Sequence, residues 1–214
     1  MNYPNRLFIA SSSTSRHMLL RDAGFDFVVL SQDCDEHACS NSPNACILVQ
    51  ELARAKMNHT QTPLPELLSE HELANGIFVI TADSVVEDCN GNIHGKPIDH
   101  ADALKKIANL RTGVHVHTAF CLEKWLFDEQ NNIWTKGVES IVVHDKAFCV
   151  MDISPEWAEW YLKHHSIAYR CAGAMAVEGI GGLFGKRIEG SCSTLIGLPL
   201  CALREQLAVR GFFE

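Results

Sequence analysis

An α/β fold, a mixed sheet with flanking helices, is predicted by three features of the sequence. Gly76 to Ala82 carries four consecutive apolar residues, Ile77 to Ile80, between small ones, the pattern of a buried strand. Val114 to Leu122 alternates strictly: Val114, Val116, Thr118, Phe120 and Leu122 share one face, and His115, His117, Ala119 and Cys121 the other. Between such strands lie stretches of helical period, the clearest being the stripe Ala45, Leu48, Val49 and Leu52.

A chain of 214 residues, 47% of them hydrophobic, can bury a core as one domain or two merged lobes, and 1–214 is read as a single domain. The net charge of -8 argues against a nucleic-acid-binding surface, so a polyanionic ligand would be met by a few local cations, usually with a metal. Nine cysteines occur without a Cys-x-x-Cys pair. The start lacks the pattern of a signal peptide, and no apolar run reaches membrane-spanning length. A reducing cytoplasm and no membrane contact are therefore expected. Cys34, His37, Cys39 and Cys46 can be drawn as a zinc site, but their spacing matches no familiar structural zinc pattern.

The first strand is Leu7 to Ile9. Ser11, Ser12, Ser13, Thr14 and Ser15 follow, and a helix pattern begins with Met18 and Leu19 and stops at Gly24. A strand that turns through hydroxyl residues into a helix presents unpaired backbone N–H groups, a natural anion site, and Arg16 offers a planar charged fork beside it. The alternative is that Ser13 or Thr14 only caps the helix and Arg16 is solvated. Phe25 to Leu30 is a second strand, leading to the acids Asp35 and Glu36.

In the helix after Asn44, Lys56 falls on the apolar stripe. An inward ammonium must meet an anion or snorkel to water, and both readings are open. Pro65 to Leu73 is read as a short helix. Asp83 follows the central strand, placed where α/β proteins often carry catalytic or metal-binding acids. Helix capping is the other reading, although Val85 and Val86 continue a strand.

Asn90-Gly91 marks a hairpin that delivers Lys96, stiffened by Pro97. Asp99 caps a helix over Ala101 to Leu110 with the stripe Leu104, Ile107, Ala108 and Arg111. His115 and His117 could form a metal pair, but the expectation is that they line a partly exposed sheet face, since no third ligand is near in sequence. A second hairpin turns at Asn131-Asn132, with a strand over Val138 to Val143. Ser154-Pro155-Glu156 starts a helix whose Trp157, Trp160, Tyr161 and His164 read as core or dimer contact. In the closing third, the glycines from Gly173 to Gly182 permit close backbone approach to a ligand, and Glu178 among them could accept hydrogen bonds from a nucleobase. Pro199 opens a last helix with the face Leu200, Leu203 and Leu207.

One anion-binding turn, the cations Arg16, Lys56 and Lys96, and the acids Asp35, Glu36 and Asp83 suit a phosphorylated ligand with a divalent metal. Phosphoanhydride hydrolysis needs positioning, charge neutralisation and a base for water. The motifs Ile-Ala-Ser-Ser-Ser-Thr-Ser-Arg (9–16), Asp-Glu (35–36), Ala-Arg-Ala-Lys (53–56), Thr-Ala-Asp-Ser-Val-Val (81–86), Gly-Lys-Pro (95–97), Cys-Ala-Gly-Ala (171–174), Arg-Ile-Glu-Gly (187–190) and Gly-Leu-Pro-Leu (197–200) occur in order along the whole chain. In these the sequence resembles the Maf family of nucleoside triphosphate pyrophosphatases, a fold akin to inosine triphosphatases.

The resemblance implies an elongated α/β fold with two lobes around a deep cleft, a cytoplasmic homodimer, and hydrolysis of an NTP to NMP and pyrophosphate with Mg²⁺, Mn²⁺ or Co²⁺. Asp83 matches the proton acceptor, and Arg16, Lys56 and Lys96 match phosphate contacts. Glu36 matches an acid linked to metal and catalysis, so Glu36 and Asp83 are the expected metal ligands. Ser11 to Ser13 match the phosphate loop. Ser15, Ser84 and Glu178 match the positions associated with base choice. Glu178 after Cys171-Ala-Gly resembles the branch acting on 7-methyl-GTP, where the dTTP/UTP branch usually has Gln. The resemblance also leaves open a nucleotide-binding regulator linked to septum formation, which would have no use for the base Asp83.

Overall fold

The computed structural model describes residues 4–36, 42–137 and 140–214. The strands are β1 (Leu7–Ile9), β2 (Phe27–Val29), β3 (Ile77–Asp88), β4 (Ile93–His94), β5 (Val114–Asp128), β6 (Ile133–Thr135), β7 (Ile141–Met151) and β8 (Gly185–Glu189). The helices are α1 (Thr14–Asp22), α2 (Ala45–Asn58), α3 (Glu70–Asn75), α4 (His100–Asn109), α5 (Pro155–His164), α6 (Cys192–Ile196) and α7 (Leu200–Val209). Among the described residues the sheet runs β2-β1-β3-β5-β7-β8, with β4 on β3 and β6 on β5. β1 is parallel to β2 and β3, while β3, β5, β7 and β8 pair antiparallel in turn, so the sheet is mixed as the sequence predicts.

Two cores lie back to back across one end of the sheet. Phe8, Val79, Ala119, Cys121 and Trp125 pack under Ala45, Val49, Ala53 and Met57 of α2. On the opposite face Leu7, Ile9, Phe78, Ile80, Phe120 and Leu122 meet Leu20 of α1, Leu203 and Leu207 of α7, and Phe212. A third core collects Val114, Val116, Cys149 and Met151 with Ile107 of α4 and Tyr161 and Leu162 of α5. Each fully buried Leu or Phe contributes roughly 1.5–3 kcal/mol.

The step that positions the site is the early end of β1. Its last residue, Ile9, pairs with Ile80, but β3 continues to Asp88 because Val85 and Val86 are buried and bonded to β5. Asp83 therefore lies inside a long strand, opposite Ala119, and not at a strand's carboxyl end. Beyond Ile9 the chain leaves the ladder and turns through the serines into α1.

Several expectations shift for identifiable reasons. The predicted helix over 65–73 divides into a 3₁₀ turn, Pro65–Leu67, and α3, because Ser69 and Glu72 form a reciprocal capping box. The packed face of α4 is Ala103, Lys106, Ile107 and Leu110, leaving Ala108 and Arg111 exposed. Lys106 turns inward, where Nζ donates to Asp102 at 2.6 Å and to the Lys96 carbonyl at 2.9 Å. In α5 the packed residues are Ala158, Tyr161 and Leu162, and Trp157 and Trp160 stand 50% and 37% exposed. β7 begins at Ile141, and Val138 of the predicted strand lies outside the described residues, as do His37 and Cys39 of the candidate zinc cluster. No described helix is long and apolar enough to cross a membrane.

His117 departs from the expected partly exposed face: it is 6% exposed and sits in a polar chain under α2. Cys46 Sγ lies 3.3 Å from His144 Nδ1, His144 Nε2 lies 3.0 Å from His117 Nδ1, and His117 Nε2 lies 3.1 Å from Glu87. Burial lowers the basicity of both histidines, with Glu87 opposing at His117 and the neighbouring His117 adding to the effect at His144. A histidine less basic in the folded state binds fewer protons there than in the unfolded chain, so stability falls as pH drops. Thermal unfolding should show a loss of Tm between pH 7 and pH 5, centred below the ordinary histidine value of 6.5. His144→Asn should flatten that slope, and an unchanged slope would remove the pair from the account.

Candidate active site

The turn after β1 is built by its own hydroxyls. Ser13 caps α1, its Oγ accepting from the Arg16 amide at 3.4 Å, and its amide donates to Ser11 Oγ at 3.2 Å. Arg16 is neither a solvated residue nor a free fork. It is 8% exposed, and its Nε donates to the Gly197 carbonyl at 2.7 Å, Nη1 to Ser11 at 3.2 Å and Nη2 to Ser84 at 3.1 Å. Burial pulls its pKa down, and the charges of Asp83 and Glu36 oppose this. Arg16 thus ties the serine turn, β3 and the α6–α7 connection together. A Cβ at Gly197, whose φ is +125°, would stand 3.3 Å from Ser84 Oγ and 3.6 Å from Arg16 Nε.

Lys56, in the last turn of α2, is 6% exposed, which removes the snorkelling reading. Its anions belong to the protein: Nζ pairs with Asp83 Oδ1 and, at 2.9 Å, with Glu36 Oε1. Desolvation acts to raise the Glu36 pKa, but Lys56, with Lys96 and Arg16 behind it, brings it below the ordinary carboxylate value. The second oxygens of Asp83 and Glu36 make no hydrogen bond or ion pair among the described residues.

Ser84 is held from two sides, by Arg16 and by Thr118 Oγ1 at 2.9 Å, and Thr118 in turn donates to the Thr194 carbonyl. Glu178 accepts a hydrogen bond from Ser15 Oγ, so two of the residues matched to base choice meet across the chain. Lys96 stands on a segment fixed by the bond from Lys106 to its carbonyl. In the glycine run the tightest approach is to the protein itself: a Cβ at Gly181 would fall 1.8 Å from the Ala176 carbonyl oxygen. The glycines there fold the segment onto its own backbone, and the ligand reading does not hold at Gly181.

These residues converge. A cleft of about 860 Å³ is lined by Ser11, Ser13, Ser15, Arg16, Glu36, Lys56, Asp83, Ser84, Lys96 and Glu178 together. One cleft cation escaped the sequence reading. Arg170 is exposed, lines the cleft and donates from Nη2 to the Ser12 carbonyl at 3.2 Å. Its only signal was a cation immediately before Cys171-Ala-Gly. No group of three or more His, Cys, Asp or Glu residues among those described is arranged to cage a metal. A pair of carboxylates such as Glu36 and Asp83 could contribute donors to a magnesium-type ion, a class of ion that takes its remaining ligands from water and phosphate.

The sequence matches the family described as Maf-like protein over residues 6–210. The chain belongs to the Maf family. A protein of Salinispora tropica named nucleoside triphosphate pyrophosphatase is 36% identical, over 96% of this chain and 84% of its own length. A Prochlorococcus marinus protein of the same name is 30% identical, over 94% of this chain and 97% of its own. A Geotalea uraniireducens protein named dTTP/UTP pyrophosphatase is 31% identical over the full length of both chains. In this Maf chain the motifs from 9–16 to 171–174 all contribute residues to the cleft. Arg187 to Glu189 instead lie on the exposed edge strand β8, and Gly197 joins the site through its carbonyl bond with Arg16.

Arg16→Lys keeps the charge, but its donors radiate from a single nitrogen and cannot reach acceptors that are each served by a different nitrogen of the planar fork. It should lower the unfolding free energy by about 2 kcal/mol or more, as expected when buried acceptors lose their donors. Urea unfolding reads this directly, and a loss within error of zero would contradict the tether.

Proposed function

We propose that this chain hydrolyses a nucleoside triphosphate between the α and β phosphates, giving NMP and pyrophosphate with a divalent cation. The observation that carries the reading is Lys56 held between Glu36 and Asp83 on the wall of a cleft edged by the serine turn. The pyrophosphatase names of relatives that align along nearly the whole chain support it.

The chemistry follows from those groups. Asp83 takes a proton from a water attacking the α-phosphorus, the bond from that phosphorus to the bridging oxygen breaks, and pyrophosphate leaves. Lys56 holds Asp83 in place and offsets charge that develops on the α-phosphate oxygens. The serine turn receives phosphate through its backbone N–H groups, and Arg16 keeps that turn in register with Asp83. Glu36 and Asp83 would hold Mg²⁺, Mn²⁺ or Co²⁺, and such an ion when bound neutralises phosphate charge and orients the triphosphate. The homodimer and cytoplasmic setting implied by the resemblance belong to this proposal.

For the base, Glu178 favours a guanine-type substrate, 7-methyl-GTP included. A carboxylate offers only acceptors, and a guanine edge presents N1–H and an amino group as donors, whereas a pyrimidine face carries carbonyl acceptors. The relative named dTTP/UTP pyrophosphatase supports pyrimidine triphosphates as the second reading.

A panel of canonical and modified triphosphates with Mg²⁺ or Mn²⁺, assayed for pyrophosphate against orthophosphate, tests the reaction. Pyrophosphate is expected, and orthophosphate as the sole phosphate product would overturn cleavage at the α–β bond. Asp83→Asn should cut kcat by about a hundredfold or more while nucleotide binding persists, the signature of a lost general base. A nucleotide-binding regulator would show no such dependence. Glu178→Gln should move the kcat/KM ratio of 7-methyl-GTP to UTP by at least about tenfold toward UTP, since the amide can donate to a carbonyl. An unmoved ratio would take base selection away from Glu178.

A further inference from the structure

We propose that Arg170 binds the terminal phosphates of the triphosphate and retains the pyrophosphate product, a role that rests on the pyrophosphatase reading of the cleft. The cleft-lining cations are Arg16, Lys56, Lys96 and Arg170. Two of them are already committed. All three guanidinium nitrogens of Arg16 donate to protein oxygens. The Lys56 ammonium is held by two carboxylates. A triphosphate brings several negative charges, so Lys96 and Arg170 are left to meet those beyond the reaction centre.

Arg170 is suited by place and by freedom. Its one hydrogen bond among the described residues, to the Ser12 carbonyl at 3.2 Å, is longer than usual and sits at an exposed residue of the serine turn. The guanidinium is thus parked beside the turn while its remaining N–H groups are uncommitted among the described residues. A phosphate replaces a neutral carbonyl with a charged, bidentate partner, and charge-assisted bonds are roughly twice as strong as neutral ones. The exchange therefore favours the ligand.

The neighbourhood points to the same end of the substrate. The Gly173 amide donates to the Gly95 carbonyl at 3.4 Å, which joins the segment carrying Lys96 to the one carrying Arg170, and Cys171 and Glu178 line the cleft beside them. The two uncommitted cations thus share one wall, on a different chain segment from the serine turn. With the α-phosphate at the buried Asp83–Lys56 pair, the β and γ phosphates run past Ser12 toward that wall.

Calorimetric titration of pyrophosphate into wild type and Arg170→Ala, with Mg²⁺, reads the contact without turnover. The variant should bind pyrophosphate at least about tenfold more weakly, bind NMP within twofold of wild type, and keep its Tm, because the side chain is exposed. Arg170→Lys should recover part of the loss. In steady state Arg170→Ala should raise KM for the triphosphate more than it lowers kcat. Pyrophosphate binding within twofold of wild type, or no binding to wild type, would overturn the role of Arg170. Wild type that binds pyrophosphate through Arg170 but never releases it from a triphosphate would instead overturn the pyrophosphatase reading.

Discussion

The buried ammonium of Lys56 is the constraint around which the rest is arranged. A cation at 6% exposure persists in a core only if anions face it, and Asp83 and Glu36 both do. The pairing joins three parts of the chain, α2, β3 and the segment after β2. It also leaves each carboxylate with one oxygen unengaged among the described residues. The carboxylates that keep the buried ammonium paired therefore also have oxygens that could hold a cation or take a proton.

Arg16 makes the complementary link at the next residue of β3, whose side chain points to the other face of the sheet. It binds the serine turn to Ser84, the residue after Asp83, and to Gly197, whose positive φ favours glycine and where a Cβ would crowd Ser84 Oγ at 3.3 Å. Asp83 and Ser84 are neighbours on one strand whose side chains serve opposite tethers. β1 ends early enough to leave room for the turn between them. The position of the serine turn relative to Asp83 is then set by the Arg16 bonds to Ser11 and Ser84 and by sheet register.

Much of this was legible because burial and charge leave clear marks on sequence. Lys56 on an apolar stripe marked an ammonium that must meet an anion or reach water, and the strict alternation of Val114 to Leu122 marked a strand with one apolar face. What escaped did so where tertiary contacts override local pattern. Lys106 faces inward because Asp102 and the Lys96 carbonyl receive it, which rotates the packed face of α4. His117 is buried between His144 of β7 and Glu87 of β3, partners distant in sequence. Arg16 looked like a ligand's fork because the Gly197 carbonyl, which takes one of its bonds, lies near the other end of the chain. Arg170 carried no periodicity or turn chemistry to mark it, and only the fold brings it to Ser12.

The claim that Lys56 and Asp83 form one reaction centre is tested most directly by a double-mutant cycle on kcat/KM for triphosphate hydrolysis. Groups that act as a unit are strongly non-additive when removed. The double variant Lys56→Met with Asp83→Asn should be about as slow as the slower single variant. Losses that multiply, with each substitution exerting its full effect in the presence of the other, would contradict a shared centre.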